Sequence, residues 1–213
     1  MSRAIFLDRD GVINANRPDY VKNLDEFVLL PNTLQALRLL VRLPLLVVVV
    51  TNQSAVGRGL MCDREVEAIH DHLIDVVVRS GGRIDDVLYC PHRPEEGCSC
   101  RKPRPGLLLQ AADKYGIDLT RSYMVGDAVT DVEAALVVGV RPVLVLTGRG
   151  QDQVQQLRNQ RYRHVPVMKD LLAAARLIEG LEHPRPEAMP SYAATMREDS
   201  TQHRRGTTSQ LAS

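Results

Sequence analysis

Ala4-Ile5-Phe6-Leu7-Asp8-Arg9-Asp10-Gly11-Val12-Ile13-Asn14 sets four consecutive apolar residues ahead of two carboxylates one residue apart, followed by a glycine. A short, unbroken apolar run reads as a strand buried on both faces, which belongs in a parallel sheet covered by helices. Ligands bind such sheets outside the carboxyl ends of the strands, so Asp8 and Asp10 would stand in the crevice where chemistry is done. The competing reading is a strand followed by an ordinary polar turn, because Asp and Gly are common turn residues. On this stretch alone the two readings are balanced.

The rest of the chain alternates strand and helix signals. Pro31 and Asn32 open a helix carrying Leu34, Leu37, Leu40 and Val41 at three-to-four spacing, and Pro44 is expected to close it. Residues 45–50, Leu-Leu-Val-Val-Val-Val, read as a second buried strand that ends in Thr51-Asn52-Gln53-Ser54. A long helix is expected over residues 63–80, with Val66, Ile69, Leu73, Val76 and Val77 on one face and Gly81-Gly82 as its stop. A strand over 84–89, a helix from Pro105 to Gly116, and a short strand over 123–125 ending in Gly126-Asp127 follow. Helices over 130–138, 152–159 and 169–181 flank a strand over 143–146 and the loop 147–150. This alternation predicts an α/β fold, a three-layer doubly wound and mainly parallel sheet. Residues 1–182 are expected to form one domain. From 183 to 213 apolar residues thin out among Pro, Ser, Thr, Arg and Gln, which predicts a disordered tail.

Composition narrows the function classes. The 213 residues are 44% hydrophobic and 25% charged, as in ordinary globular proteins. With 27 Lys and Arg against 26 Asp and Glu, the net charge of +1 makes no general case for nucleic acid or an acidic membrane surface. Charge at Arg3 and Asp8 leaves no room for a secretory signal, and the longest apolar run is far short of the roughly 20 residues that span a bilayer. A cytoplasmic protein, monomeric by default, is expected. Three of the four cysteines, Cys90, Cys98 and Cys100, crowd beside His92. In an intracellular chain that favours a metal over disulfides.

The candidate chemistry lies at the strand ends. Asp8 and Asp10 follow the first strand, Thr51 the second, and Asp127 with nearby Asp131 a later one. If the fold brings them together, the carboxylates repel one another unless a cation joins them, and oxygen-only ligation suits Mg2+. A phosphate ester completes that set, its charge shared among the metal, a lysine such as Lys102, and neutral donors such as Thr51. The blander alternative makes Thr51 and Asp127 helix caps and Lys102 a solvated charge. Cys90-Pro-His92 followed by Cys98-Ser-Cys100 is a complete tetrahedral set for a structural Zn2+, just before Arg101 and Lys102.

Asp8-Arg9-Asp10-Gly11-Val12, Thr51-Asn52-Gln53-Ser54, Arg101-Lys102-Pro103 and Gly126-Asp127 with Asp131 resemble, in order, the four motifs of the haloacid dehalogenase (HAD) superfamily of phosphatases. Within it, the cysteine cluster and Thr-Asn-Gln-Ser resemble the group that holds the histidinol phosphatases and the heptose bisphosphate phosphatases. The resemblance implies that Asp8 is the nucleophile, forming an aspartyl-phosphate, and that Asp10 is the general acid and then the general base. It implies Mg2+ held by the Asp8 side chain, the Asp10 backbone carbonyl and Asp127, with Thr51 and Lys102 on phosphoryl oxygens and Asp131 supporting the loop. Arg101, Asn52, Gln53, Ser54 and the segment containing Asn16, Asp19 and Tyr20 match positions that contact substrate. The residues after Gln53 resemble the continuation of that motif in the heptose bisphosphate phosphatases, although Ala55 stands where a glycine is expected there; the resemblance implies a heptose 1,7-bisphosphate, cleaved at the 7-phosphate, rather than histidinol phosphate or another small sugar phosphate. A zinc-stabilised binding module is the non-enzymatic alternative, disfavoured by the absence of a basic, aromatic stripe around the cysteines.

Overall fold

In the computed structural model, which describes residues 1–157 and 162–183, six strands form one sheet. They are β1 (Ala4–Leu7), β2 (Leu46–Asn52), β3 (Asp86–Cys90), β4 (Tyr123–Gly126), β5 (Arg141–Val145) and β6 (Val167–Met168). Their order is β3-β2-β1-β4-β5-β6, and every pairing is parallel. The expected mainly parallel sheet is therefore wholly parallel. The opening stretch lies at its centre, between β2 and β4, where the chain reverses its direction of travel across the sheet. That switch point is where an open α/β sheet leaves a crevice at its carboxyl edge.

Side-chain alternation builds the layers. Ile5 and Leu7 of β1, with Val47 and Val49 of β2, face one core, which α1 (Thr33–Leu40), α3 (Asp63–Arg79) and α7 (Leu171–Glu182) cover. Ala4 and Phe6, with Val48 and Val50, face the other, under α4 (Gly106–Tyr115) and α5 (Val129–Val137). A satellite cluster joins Val132 and Leu144 to Leu157 of α6 (Gly150–Leu157). Val47 to Val50 have no solvent exposure, and each buried side chain of this size stabilises the fold by roughly 1.5–3 kcal/mol. This is why an unbroken β-branched run, wrong for a half-solvated strand, is right here.

The differences from expectation sit at element ends. The first helix stops at Leu40 rather than at Pro44, because the chain turns back through Leu43, whose N–H bonds the Leu40 carbonyl, to bury Leu43 and Leu45. Pro105 caps its helix instead of starting it. The two-residue β6 and the single turn α2 (Ser54–Gly57) had no sequence signal long enough to show. The expected tail, His183 excepted, and the end of the helix expected to reach residue 159 lie outside the described residues.

Candidate active site

Past the last ladder residue of β1, Asp8 is still held to the sheet by its N–H bond to Val125 O at 2.9 Å. The chain then winds on itself, with the N–H groups of Val12, Ile13 and Asn14 all donating to the Arg9 carbonyl. Gly11 takes φ of 91°, in the left-handed region. Asp127, at the end of β4, has no solvent exposure, and its carboxylate fits between Gly11 and Gly148, where a β-carbon at either position would overlap it. The glycine after the paired carboxylates thus admits a third carboxylate from another strand.

Asp8, Asp127 and Asp131 present oxygens within 4.8 Å of one another, all three buried. Lys102, 4% exposed, is set among them: its Nζ donates to Asp8 Oδ1 at 2.7 Å and to Val50 O at 2.8 Å, and pairs with Asp131 Oδ1 at 2.7 Å. The solvated-lysine alternative fails on that burial. Burial raises the Asp8 carboxyl well above the usual range, Lys102 opposes the rise, and Asp131 and Asp127 add to it. Burial works against the charge of the Lys102 ammonium, but Asp131 and Asp8 more than offset it, so that its pKa is raised. Asp127 is likewise raised by burial and by Asp131. Its Oδ2 accepts the Arg149 backbone N–H at 2.8 Å; its buried Oδ1 accepts no hydrogen bond and has only the Arg149 guanidinium as an ion-pair partner, 3.5 Å away. Three buried carboxylates, one lysine among them and an oxygen lacking a donor make a set that fits a hard divalent cation such as Mg2+. Asp131 Oδ2 also accepts the Ala128 N–H at 3.1 Å, so this side chain braces the first turn of α5 while its other oxygen faces Lys102.

Asp10 is not part of that close-set carboxylate group, although it lines the same cleft. Its Oδ1 accepts from Arg9 Nη2 at 3.1 Å and Asn14 Nδ2 at 2.8 Å, and its Oδ2 from Arg9 Nη2 at 3.0 Å and Gln53 Nε2 at 2.7 Å. On its far side the Arg9 guanidinium, 0% exposed, meets His70 Nε2 at 3.1 Å. A guanidinium has no acceptor, so Nε2 accepts and the imidazole is neutral. Burial, then the Arg9 charge, lowers the His70 pKa from 6.5 to about 3, with Asp10 opposing. Between these values the unfolded chain holds a proton that the folded protein does not. Stability from this group is therefore complete above pH 6.5 and is lost as pH falls towards 3. Chemical denaturation from pH 6.5 to 4 should show His70→Gln with a shallower stability slope than the parent, by up to about 1.4 kcal/mol per pH unit; equal slopes would contradict the buried neutral imidazole.

These groups open into a cleft of about 340 Å³ whose lining includes Asp8, Asp10, Asn16, Tyr20, Thr51, Asn52, Ser54, Arg101, Lys102 and Asp131. Two residues expected to touch substrate lie off that lining. Asp19 is engaged by Lys22 Nζ at 2.9 Å and by Arg17 at 3.2 Å, so it braces the loop on the solvent side. Gln53, 1% exposed, donates to Asp10 and, at 2.9 Å, to Thr51 Oγ1, which makes it a buried strut. Asn52, although on the lining, grips the Lys102 backbone at both ends, each bond 3.1 Å. Sequence reasoning missed Arg149 and reached Arg17 only as a member of the expected substrate-contacting loop 16–20; the two add two cations to the wall. Arg149 follows the end of β5, so the strand-end rule that picked out Asp8 and Asp127 could have found it.

The expected metal loop is assembled. Sγ of Cys90, Cys98 and Cys100 and Nδ1 of His92 all lie within 4.8 Å of one another, with Cys100 Sγ 3.2 Å from Cys90 Sγ and 3.3 Å from His92 Nδ1. Three sulfurs and an imidazole at these separations fit Zn2+, whose Zn–S bonds of about 2.3 Å give tetrahedron edges of about 3.8 Å. The loop is tied to the cleft: Arg101 Nη1 donates to His92 O at 3.2 Å, Gln53 N to Cys90 O at 2.8 Å, and Arg104 Nη1 to Cys98 O at 2.6 Å. Cys62 is exposed at the start of α3, away from the set.

Residues 99–174 match the family model described as HAD-hydrolase-like. The chain is 46% identical over 151 residues to the D-glycero-beta-D-manno-heptose-1,7-bisphosphate 7-phosphatase of Pseudomonas aeruginosa, covering 70% of this chain and 85% of that one. It is 44% identical over 154 residues to the protein of the same name in Pseudomonas putida, covering 72% and 88%. Among solved structures it resembles D,D-heptose 1,7-bisphosphate phosphatase from B. bronchiseptica complexed with magnesium and phosphate, with a TM-score of 0.79, 38% identity, and coverage of 84% of this chain and 99% of that one.

Proposed function

This chain belongs to the HAD-like phosphatases of the heptose 1,7-bisphosphate phosphatase family, and from that premise we propose that it removes the 7-phosphate of D-glycero-D-manno-heptose 1,7-bisphosphate through an aspartyl-phosphate on Asp8. The observation that carries the reading is the junction of a buried nucleophile candidate, a buried lysine and a carboxylate oxygen without a donor, at the floor of a cleft walled by arginines.

Asp8 attacks phosphorus in line, and the oxygen of the sugar C7 leaves. As the acyl phosphate forms, the carboxylate charge passes to the phosphoryl oxygens. The Lys102 N–H that held Asp8 can follow that charge, while the other two donors of the ammonium stay on Val50 O and Asp131. Asp10 protonates the leaving oxygen, then takes a proton from the water that hydrolyses the intermediate. Asp8, the Asp10 backbone carbonyl and Asp127 would hold Mg2+, which supplies positive charge to the phosphoryl group when bound. Thr51 and Lys102 orient phosphoryl oxygens, while Arg101, Asn16, Tyr20, Asn52 and Ser54 form the wall that meets the sugar. Zn2+ on Cys90, His92, Cys98 and Cys100 would fix the loop that carries Arg101 and Lys102, without an open position for chemistry.

We take residues 1–182 as the catalytic domain, acting as a monomer, because one chain supplies every group in the scheme. A sugar bisphosphate carries too much charge to cross a bilayer unaided, which supports action in the cytoplasm, where such a substrate would be made. No described helix is long and apolar enough to cross a membrane. Phosphate release from a panel of heptose 1,7-bisphosphate, histidinol phosphate and common sugar phosphates tests the reading. The expected result is a Mg2+-dependent preference for the heptose bisphosphate, losing one phosphate per molecule. A preference for histidinol phosphate would reject the substrate, and turnover indifferent to Mg2+ would reject the mechanism.

A further inference from the structure

Phosphoryl transfer by Asp8, Asp10 and Lys102 leaves a buried pair of the described residues unused, Arg9 with His70. Arg9 is 0% exposed and His70 is 6% exposed, and they meet 61 residues apart in sequence, at the foot of the paired carboxylates. A charge is carried into an interior only with compensation, and the Arg9 guanidinium finds it on two sides. One side is Asp10, on which Arg9 Nε and Nη2 form a fork. The other is the lone pair of His70 Nε2. The imidazole has its own seat between α3 and β3, edge-on to the Tyr89 ring with centroids 5.5 Å apart. Tyr89 in turn donates to Asp63 Oδ1, on the first residue of α3, at 2.9 Å.

We propose that His70 is a positioning residue for the acid–base carboxylate: it anchors the far side of the Arg9 guanidinium, and Arg9 fixes where Asp10 presents its oxygens to the cleft. The inference rests on the reading of Asp10 as general acid and base. The physical reason lies in the neighbour geometry. Asp10 is the partly exposed member of the pair, with a side chain 21% accessible against 0% for Arg9, and its hydrogen bonds run to Arg9, Asn14 and Gln53. Its orientation is set from behind, by Asn14, Gln53 and the Arg9 fork. A guanidinium held only by that fork could tilt with the carboxylate; one pinned at Nη1 cannot. When the His70 acceptor is removed, a buried N–H is left without a partner, and the easiest relief is a tilt of Arg9 towards the wet cleft, which turns Asp10 with it. Proton transfer depends steeply on such placement, whereas substrate binding by the rest of the wall does not.

A double-mutant cycle on the full chain with its metals bound tests this, using heptose 1,7-bisphosphate as substrate and thermal melting of every variant to verify folding. Asp10→Ala should lower kcat by about 100- to 10,000-fold, the usual share of a general acid–base group. His70→Phe should lower kcat by about 10- to 100-fold with KM changed less than about threefold, and His70→Gln, whose amide oxygen reaches the place of Nε2, should recover most of the loss. In the Asp10→Ala background the same His70→Phe change should cost less than about twofold, because the group it positions is already gone. Equal losses in both backgrounds would overturn the inference while leaving Asp10 in its role. Near-normal turnover by Asp10→Ala would overturn the acid–base reading itself. If the phenylalanine variant does not fold, His70→Asn, which sets the acceptor back by one bond, runs the same cycle, and equal losses in both backgrounds count against the inference in the same way.

Discussion

Asp8→Asn should abolish turnover, with kcat down by about 10,000-fold or more, and leave a folded protein. An amide in the place of the carboxylate keeps the shape and can still accept from Lys102, whose Nζ lies 2.7 Å from Asp8 Oδ1. It cannot supply the nucleophilic oxygen, and no other group on the cleft floor is placed to replace it: Asp127 is enclosed between glycines and Asp131 is bound to the α5 turn. The stability expectation runs the other way from most single substitutions, as befits a site where activity requires crowded charge. Burial raises the Asp8 carboxyl, and Asp131 and Asp127 add to that rise, so neutralising one of three crowded acids should leave metal-free melting unchanged or higher. The same change should shrink the rise in melting temperature that Mg2+ gives the parent, since ligand-linked stabilisation follows affinity. Melting curves with and without Mg2+, beside single-turnover assays, decide both points. Substantial residual turnover would remove Asp8 from the nucleophile's role.

How far this arrangement is legible in the sequence depends on the range over which each contact is set. The four apolar residues before Asp8 and the Val run before Thr51 declare doubly buried strands, because burial on both faces erases the alternation that a half-exposed strand would show. Strand identity then fixes the carboxyl edge, so Asp8, Thr51 and Asp127 come together by topology alone. The metal loop is legible for a different reason: its ligands lie within eleven residues, and their chemistry has few other uses. What the sequence hid depends on partners chosen by tertiary packing. Nothing local to His70 on α3 says that it accepts from Arg9, 61 residues away; Asp19, by contrast, is open to a local reading, since Arg17 and Lys22, which claim it, stand two and three residues away. Gln53 shows the limit most clearly. Its position after a strand marked it for the site, but only the register of β2 beside β3 turned it inward, its backbone N–H tied to the Cys90 carbonyl and its amide under Asp10.

Lys102→Met should be the most damaging substitution for stability and activity together. Its burial is nearly complete, and its ammonium spends all three protons on Asp8, Asp131 and the Val50 carbonyl. Methionine fills much of the volume but leaves two buried carboxylates facing each other and a carbonyl without a donor; breaking a buried pair in this way costs about 3–5 kcal/mol. Turnover should fall by about 100- to 1,000-fold as well, the scale of losing one donor preorganised for charge that develops in the transition state. The two losses have different origins and can be separated. Adding Asp131→Asn to Lys102→Met removes one of the stranded charges, so the double variant should regain much of the melting temperature. It should regain little of kcat, because the buried ammonium that follows the charge from Asp8 to the phosphoryl group is gone. Recovery of both together would mean that Lys102 serves only to neutralise Asp131, and that phosphoryl oxygens are held by other groups of the cleft wall.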